Sequence, residues 1–206
     1  MKVGALVLAA GSSQRMGTQN KLLAEVGGKA IISRVLSTVS LAGIEPVILV
    51  TGHESQSVQS AVQGFPLQLV HNDEYQHGLS SSLQCGLKAL PENVSAVIVV
   101  LGDMPLLTVQ QVESLLVVHS RDADKRAIVV PVREGRRGNP VLWPRYYWPD
   151  ILELEGDSGA KTLMAKYPQN VVEVPSVEDG SFIDIDTPEM LKTVSDWFEK
   201  PVAKEN

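Results

Sequence analysis

Short runs that are apolar throughout alternate along this chain with longer stretches in which apolar residues recur at helical spacing. Val3 to Ala9 reads as a buried strand, and Ala30 to Leu41 as a helix carrying Ile31, Ile32, Val35, Leu36 and Val39 on one side. Val47–Val50 is the next strand, Ser55–Val62 a helix, Leu67–Val70 a strand and Ser80–Leu90 a helix. Ala96–Leu101 is the strongest strand, apolar on both faces as a central parallel strand is. Thr108 followed three residues later by Gln111 forms a capping box, which predicts a helix with Val109, Val112, Leu115 and Leu116 as its buried stripe. Ala127–Val130 is a further strand, Pro140–Trp143 is another run after a Gly-rich loop, and Phe182–Ile185 is a last strand. It leads to Thr187-Pro188, a cap and first-turn proline for a final helix bearing Met190, Leu191, Val194 and Phe198.

Strands alternating with helices predict a mainly parallel sheet covered on both faces. Ligands in such sheets bind at the carboxyl ends of the strands. The loops after Ala10, Val50, His71, Leu101 and Ile185 are therefore expected along one edge. The segment 133–174 breaks the alternation with paired arginines, tryptophans, tyrosines and prolines, and reads as an insertion covering the site. Residues 1–199 are expected to form a single domain and 200–206 a polar tail.

Composition narrows the picture. At 206 residues, 44% hydrophobic and 20% charged, the chain is long enough for one well-buried core. A net charge of −6 argues against nucleic acid as a partner, because phosphate backbones attract broadly basic surfaces. A small phosphorylated ligand needs only a local cationic patch. The lone Cys85 excludes an internal disulfide and a cysteine-rich metal site, and its apolar neighbours suggest a buried small hydrophobe. The apolar run after Met1-Lys2 is short for an export signal and leads straight into a glycine loop, so a cytoplasmic protein without membrane contact is expected.

That loop carries the chemistry. Leu8-Ala9-Ala10-Gly11-Ser12-Ser13-Gln14-Arg15-Met16-Gly17 follows the first strand, with Lys21-Leu22 shortly after. Small residues there let backbone N–H groups approach phosphate oxygens, and Arg15 and Lys21 add positive charge. A P-loop is excluded, since Gly11 and Gly17 stand one residue too far apart and Thr18 replaces its lysine. The dinucleotide fingerprint fails because Ser13 holds its second glycine position.

The run L-A-A-G-x-S-x-R-M-G-x-x-x-K-L resembles the signature of nucleotidyltransferases that build activated sugars and cofactors, and within them the molybdenum-cofactor cytidylyltransferase branch. The guanylyl-transferring branch usually has glycine where this chain has Ala10 and Ser12. The resemblance continues through Gly78–Leu83, Gly102-Asp103-Met104-Pro105, Gly138–Leu142, Gly156–Lys161 and Asp184–Pro188. It implies a three-layer, Rossmann-like α/β sandwich of the nucleotide-diphospho-sugar transferase type. It also implies magnesium, with CTP and molybdopterin cofactor as substrates and a molybdoenzyme or its chaperone as the receiving partner. Transfer to a sugar or polyol phosphate, and a non-catalytic nucleotide- or cofactor-binding role, are the alternatives.

Asp103 ends the strongest strand, so its carboxylate is expected at the ligand edge, where magnesium takes one or two carboxylates plus substrate phosphates; the competing reading is a turn cap. Asp184 and Asp186 are two apart on the last strand and are expected to point the same way. Either is a second metal ligand, the other a partner of backbone N–H groups near Thr187. Arg15, Lys21 and Asp103 are the candidate catalytic residues. The resemblance places the nucleotide on Leu8, Ala9, Ala10, Gly11 and Ser12 and on the loop of Gly78, Ser80, Ser81 and Ser82, the serines having helix capping as their alternative. Asn139, Pro140, Gly159 and Lys161 are expected toward the acceptor, with Arg136 and Arg137 as further candidates for its phosphate. His53, at a strand end, is within reach of a ligand; metal ligation by the histidines is not expected.

Overall fold

The computed structural model describes residues 2–12, 20–157 and 159–199. Strand β1, Lys2–Ala9, lies inside the main sheet between β4, Val47–Thr51, and β6, Val94–Leu101, both parallel to it. Strand β5, Gln68–His71, adds in parallel beyond β4. On the other side, β9, Val141–Pro144, runs antiparallel between β6 and β7, Ile128–Arg133, and β10, Val171–Pro175, closes that edge in parallel to β7. A short β8, Arg136–Arg137, folds back on β7. The result is a mixed, mainly parallel sheet between two helical layers.

The period-2 alternation of the strands separates two apolar cores. Ala5, Val7 and Ala9 face helices α1, Ile31–Leu41, α2, Ser55–Ala61, and α4, Val109–Arg121. Leu6, Leu8 and Ala10 face α3, Leu79–Ala89, and α5, Trp148–Leu152. Gly86 lets α3 lie close on this second face, since a Cβ there would come within 2.0 Å of a Leu6 methyl. Among the described residues no helix is long and apolar enough to cross a membrane.

Three expectations are revised. Phe182–Ile185 is not a strand: it runs without a ladder, tied toward the sheet by the Ile185 N–H, which donates to the Asp103 carbonyl at 3.1 Å. Its alternate residues Ile183 and Ile185 pack instead with Ala24, Val26, Ile31 and Val194, the last on α6, Pro188–Glu199. Most of 133–174 does not cover the site. It supplies β8, β9, α5 and β10, and its Trp143, Tyr147 and Trp148 are buried in the second core. Cys85 is half-buried rather than buried; burial raises its thiol pKa, and its Sγ lies 3.6 Å from the His71 carbonyl. A hairpin the pattern did not suggest, β2 Glu25–Val26 with β3 Lys29–Ala30, turns through Gly27 and Gly28, both at positive φ as a tight primed turn requires.

The capping box of α4 forms as the sequence predicts. Thr108 Oγ1 accepts from the Gln111 N–H at 3.2 Å and Gln111 Oε1 accepts from the Thr108 N–H at 3.0 Å. Thr108→Ala is expected to cost about 1 kcal/mol, read as a fall in melting temperature of roughly 2–4 °C. An unchanged melting curve would mean the cap contributes nothing.

Candidate active site

The carboxyl ends of β1, β4, β5 and β6 share one edge, and the chain ties them together. The Gly102 N–H donates to the Leu8 carbonyl at 2.9 Å, the His53 N–H to Ala10 at 3.3 Å and the Asn72 N–H to Thr51 at 2.8 Å. Over this edge opens a cleft of about 1130 Å³. That exceeds the roughly 300–1,000 Å³ of a single small-ligand site, so two ligands can meet in it. Its floor is Leu8, Ala9, Ala10, Gly11 and Ser12.

One end of the cleft is ionic. Lys21 opens a short 3₁₀ turn, Lys21–Leu23, whose cap is Asn20: its Oδ1 accepts from the Leu22 N–H at 3.1 Å. The turn aims the Lys21 ammonium at Asp103 Oδ2, 2.5 Å away, and Asp186 Oδ1, 2.8 Å away. Asp184 completes the group: one carboxylate oxygen from each of Asp103, Asp184 and Asp186 lies within 4.8 Å of the others. The two-residue spacing of Asp184 and Asp186 achieves this because the segment is extended even though it pairs with no strand. The Lys21 and Asp103 side chains are 15% and 14% exposed, Asp186 39%.

Desolvation pulls the Lys21 pKa down, but Asp103 and Asp186 together outweigh it and hold the ammonium charged, above its ordinary value. Desolvation pushes the Asp103 carboxyl up, and Asp184 adds to that, against the pull of Lys21. Asp103 Oδ1 is buried with no hydrogen-bond partner among the described residues. An orphaned buried carboxylate oxygen beside two more carboxylates is a donor set of hard oxygens, which suits a divalent cation of the magnesium or manganese type. No histidine or sulfur belongs to the cluster.

At the other end of the cleft Asp157 is the one carboxylate among the described residues. That end is lined by His53, Tyr75, Gln76, Gly78, Leu79, Ser82 and Asp157. Gly78 adopts φ 97° and lies so close to the Gly156-Asp157 backbone that a Cβ would fall 2.4 Å from the Gly156 carbonyl carbon. The Gly156 carbonyl accepts from both the Ser80 N–H, at 3.1 Å, and its Oγ, at 2.8 Å.

The structure therefore gathers Lys21, Asp103, Asp184 and Asp186 in one cluster, and lines the cleft with Leu8 to Ser12, Gly78 and Ser82. Arg15 lies outside the described residues. Ser80 and Ser81 are buried with their hydroxyls on backbone carbonyls, and do not line the cleft; the cap of α3 is Gly78, not a serine side chain. Nor do Asn139, Pro140, Gly159 or Lys161 line it. The Asn139 N–H donates to the Ser181 carbonyl at 2.8 Å and Pro140 is buried. Lys161 is pushed below its ordinary pKa by desolvation and by Arg136, against the pull of Asp184. Arg137 is tied to Glu173 at 2.8 Å. Leu79 and Asp157 belong to the segments Gly78–Ser82 and Gly156–Lys161 that the resemblance singles out, but Tyr75 and Gln76 were not expected from the sequence; an aromatic residue in the loop after an edge-directed strand was the one available signal.

The model of the MobA-like NTP transferase domain matches residues 5–171, most of the chain and all of the sheet edge described above except the Asp184–Asp186 arm. The chain belongs to this family. Among curated relatives it is 28% identical to the nicotine blue oxidoreductase of Paenarthrobacter nicotinovorans over 92% of this chain and 94% of that protein. It is 33% identical to the bifunctional protein GlmU of Corynebacterium aurimucosum over 65% of this chain but only 29% of that protein, so it spans under a third of GlmU's length. Among solved structures it superposes on the homologue of Mycobacterium tuberculosis Rv0371c from Mycobacterium sp. strain JC1 with TM-score 0.85 and 26% identity, covering 96% of this chain and 98% of that one. Rv0371c of M. tuberculosis in complex with manganese matches with TM-score 0.76 and 20% identity over 95% and 99%, a likeness of fold. The α/β fold is thus that of nucleotide-diphospho-sugar transferases.

Proposed function

We propose that this chain transfers CMP from CTP to the phosphate of molybdopterin cofactor, with magnesium and with release of pyrophosphate. The observation that carries nucleotidyl transfer is the convergence of Lys21 with Asp103, Asp184 and Asp186 at the end of a cleft floored by Gly11 and Ser12. The narrower cytidylyl reading is supported by Ala10 and Ser12, where the guanylyl branch usually carries glycine, and by the run Gly78–Ser82.

In the reaction an oxygen of the acceptor phosphate forms a bond to the α-phosphorus of CTP, the bond from that phosphorus to the bridging oxygen of the β-phosphate breaks, and pyrophosphate leaves with the electron pair. The acceptor oxygen is already anionic, so no protein nucleophile and no base is required. Gly11 and Ser12 line the cleft, and their backbone N–H groups would bind phosphate oxygens. Lys21, and Arg15 by resemblance, offset the charge that gathers on the transferring and leaving groups. Asp103 with Asp184 or Asp186 would hold the magnesium, which neutralises phosphate charge when bound. The resemblance assigns the acceptor's phosphate to Lys161, with Arg136 as a further candidate. A cytoplasmic setting, with a molybdoenzyme or its chaperone receiving the product, fits these substrates.

Pyrophosphate release with a panel of triphosphates and acceptors tests this reading. CTP with molybdopterin cofactor should exceed every other pair, and turnover should require magnesium. Equal or better turnover of sugar or polyol phosphates would move the assignment to those acceptors. The nicotine blue oxidoreductase relative makes an oxidoreductase assay the natural companion: redox turnover of nicotine blue, with no pyrophosphate released from any triphosphate, would end the nucleotidyl-transfer reading.

A further inference from the structure

Two of the three carboxylates in the acidic cluster stand on a segment that pairs with no strand, so something other than a ladder must hold them against Asp103. Like charges resist being gathered, and contacts on both sides of Asp184 and Asp186 oppose that resistance. After the pair, Val194 of α6 packs with Val26 and Ile31. Before it, the chain 176–183 leaves β10 and lies along the loop 102–108 that leaves β6.

The start of α4 supplies most of the contacts along that line. Thr108 Oγ1 accepts from the Gln111 N–H and also donates to Glu178 Oε2, at 2.8 Å. Gln111 Oε1 serves the helix by accepting from the Thr108 N–H. Its Nε2 serves the arm instead, donating to Ser176 Oγ at 3.2 Å and to the Glu178 carbonyl at 3.3 Å. Ser176 Oγ donates to the same carbonyl at 3.1 Å. Gln111 is buried, so these bonds cannot be exchanged for water without cost. A capping box uses only the oxygen of this side chain, and glutamate closes one equally well. The amide nitrogen is therefore surplus to the helix and spent on the arm. Gly180 then lies so near the loop that a Cβ would overlap the Leu106 carbonyl and stand 2.7 Å from Gln111 Oε1. The Ser181 carbonyl accepts from the Asn139 N–H at 2.8 Å, and the Ile185 N–H closes the line on Asp103.

Resting on the proposed metal site, we propose that Thr108, Gln111 and Glu178 form a latch that positions the Asp184–Asp186 arm for the cation. Latch and carboxylates occupy opposite ends of the same two segments. Asp103 and Thr108 bound one, Glu178 and Asp186 the other. The latch fixes their mutual register at the far end, as the Ile185 bond does at the near end. None of the three latch residues lines the cleft, so they act through the arm and not on a ligand. Their effect is on the fraction of molecules whose carboxylates are already gathered, and apparent metal affinity falls in proportion to that fraction. The Glu178 carboxylate also sits at the amino end of α4, where the helix dipole favours an anion.

Titration of the whole chain with manganese, followed by loss of the free-ion paramagnetic resonance signal, tests this without turnover. Gln111→Glu is the decisive variant, because it keeps an oxygen for the capping box and removes only the donor to the arm. It should weaken manganese binding by roughly 10-fold, the scale of groups that orient a metal's ligands, and Glu178→Ala should do the same. Thr108→Ser and Glu178→Gln, which keep the hydroxyl and an acceptor for it, should bind as wild type does. In turnover, Gln111→Glu should raise the apparent KM for magnesium by the same factor, with kcat recovering at saturating magnesium, a split that general damage to the fold does not give. Should Glu178→Ala fail to fold, Gln111→Glu decides alone. Wild-type affinity in Gln111→Glu, or losses in Thr108→Ser and Glu178→Gln as large as its own, overturns the latch and leaves the metal site standing. A wild type that takes up no manganese, or takes it up equally well after Asp103→Asn, removes the metal reading and the latch together.

Discussion

Asp103→Asn is expected to lower magnesium-dependent turnover by roughly 10³-fold, because a metal-held charge contributes several kcal/mol to such a transition state. The same variant should keep its melting temperature. Asp103 is desolvated and pressed by Asp184, so its charge is costly in the folded state, and asparagine occupies nearly the same volume. Lys21 is not stranded by the change, since Asp186 Oδ1 remains 2.8 Å from its ammonium. Loss of activity without loss of stability separates a working carboxylate from a turn cap, which would show the reverse. A second readout is independent of turnover. Magnesium should raise the melting temperature of wild type, as any ligand of the native state does, and fail to raise that of Asp103→Asn at the same concentration. If magnesium stabilises both equally, the ion is held elsewhere.

Much of this architecture is visible in the residue pattern, for physical reasons. Val94–Leu101 is buried on both faces, so its apolar run is unbroken and reads as a central strand. Thr108 and Gln111 satisfy each other's backbone N–H groups locally, which is why the start of α4 needs no tertiary information. The misread segments are those where tertiary pairing decides. Phe182–Ile185 alternates as a strand does, but its apolar residues find Val26 and Val194 rather than a ladder. Strand β10 is an edge strand with Glu173 exposed in its middle, and its weak pattern conceals it. The aromatic-rich stretch around Trp143 looks like a surface insertion until β9 is seen to slot between β6 and β7.

The site divides in the same way. Asp103 was legible from its position after the strongest strand, and Asp184 with Asp186 from a spacing that any extended backbone turns into a shared face. Lys21 was legible as a cation near a glycine loop, but its ion pairs with residues over eighty positions away were not. That Ser80 and Ser81 turn inward was not legible, because their hydrogen bonds go to Asn72 and to three carbonyls that only the fold assembles, whereas Ser82 lines the cleft. Asp157 reaches the cleft because Gly156 docks on Gly78, a contact with no signature in either segment alone.

That docking gives the second large expectation. Gly78→Ala should destabilise the fold by about 3 kcal/mol, a fall in melting temperature of roughly 6–12 °C for a chain of this size. Two costs combine. With φ 97° and ψ −176°, Gly78 occupies backbone space that residues bearing a Cβ scarcely enter. The new Cβ would also meet the Gly156 carbonyl carbon at 2.4 Å, its oxygen at 2.5 Å and the Asp157 nitrogen at 2.7 Å, all backbone atoms that no rotamer change can move. Relief requires the Gly156-Asp157 strand of chain to lift away, which takes its carbonyl from the buried Ser80 N–H and hydroxyl. Gly156→Ala is the matching control. Its φ is also positive, at 63°, but nothing lies within 4 Å of its Cβ, so only the backbone strain of about 1 kcal/mol applies. The cleft should register the difference too: in Gly78→Ala the wall bearing Asp157 shifts and nucleotide affinity falls, whereas Gly156→Ala keeps the Gly78 contact. Equal melting temperatures for the two variants would show that the loop has slack at this contact and that Gly156 is not fixed against the start of α3.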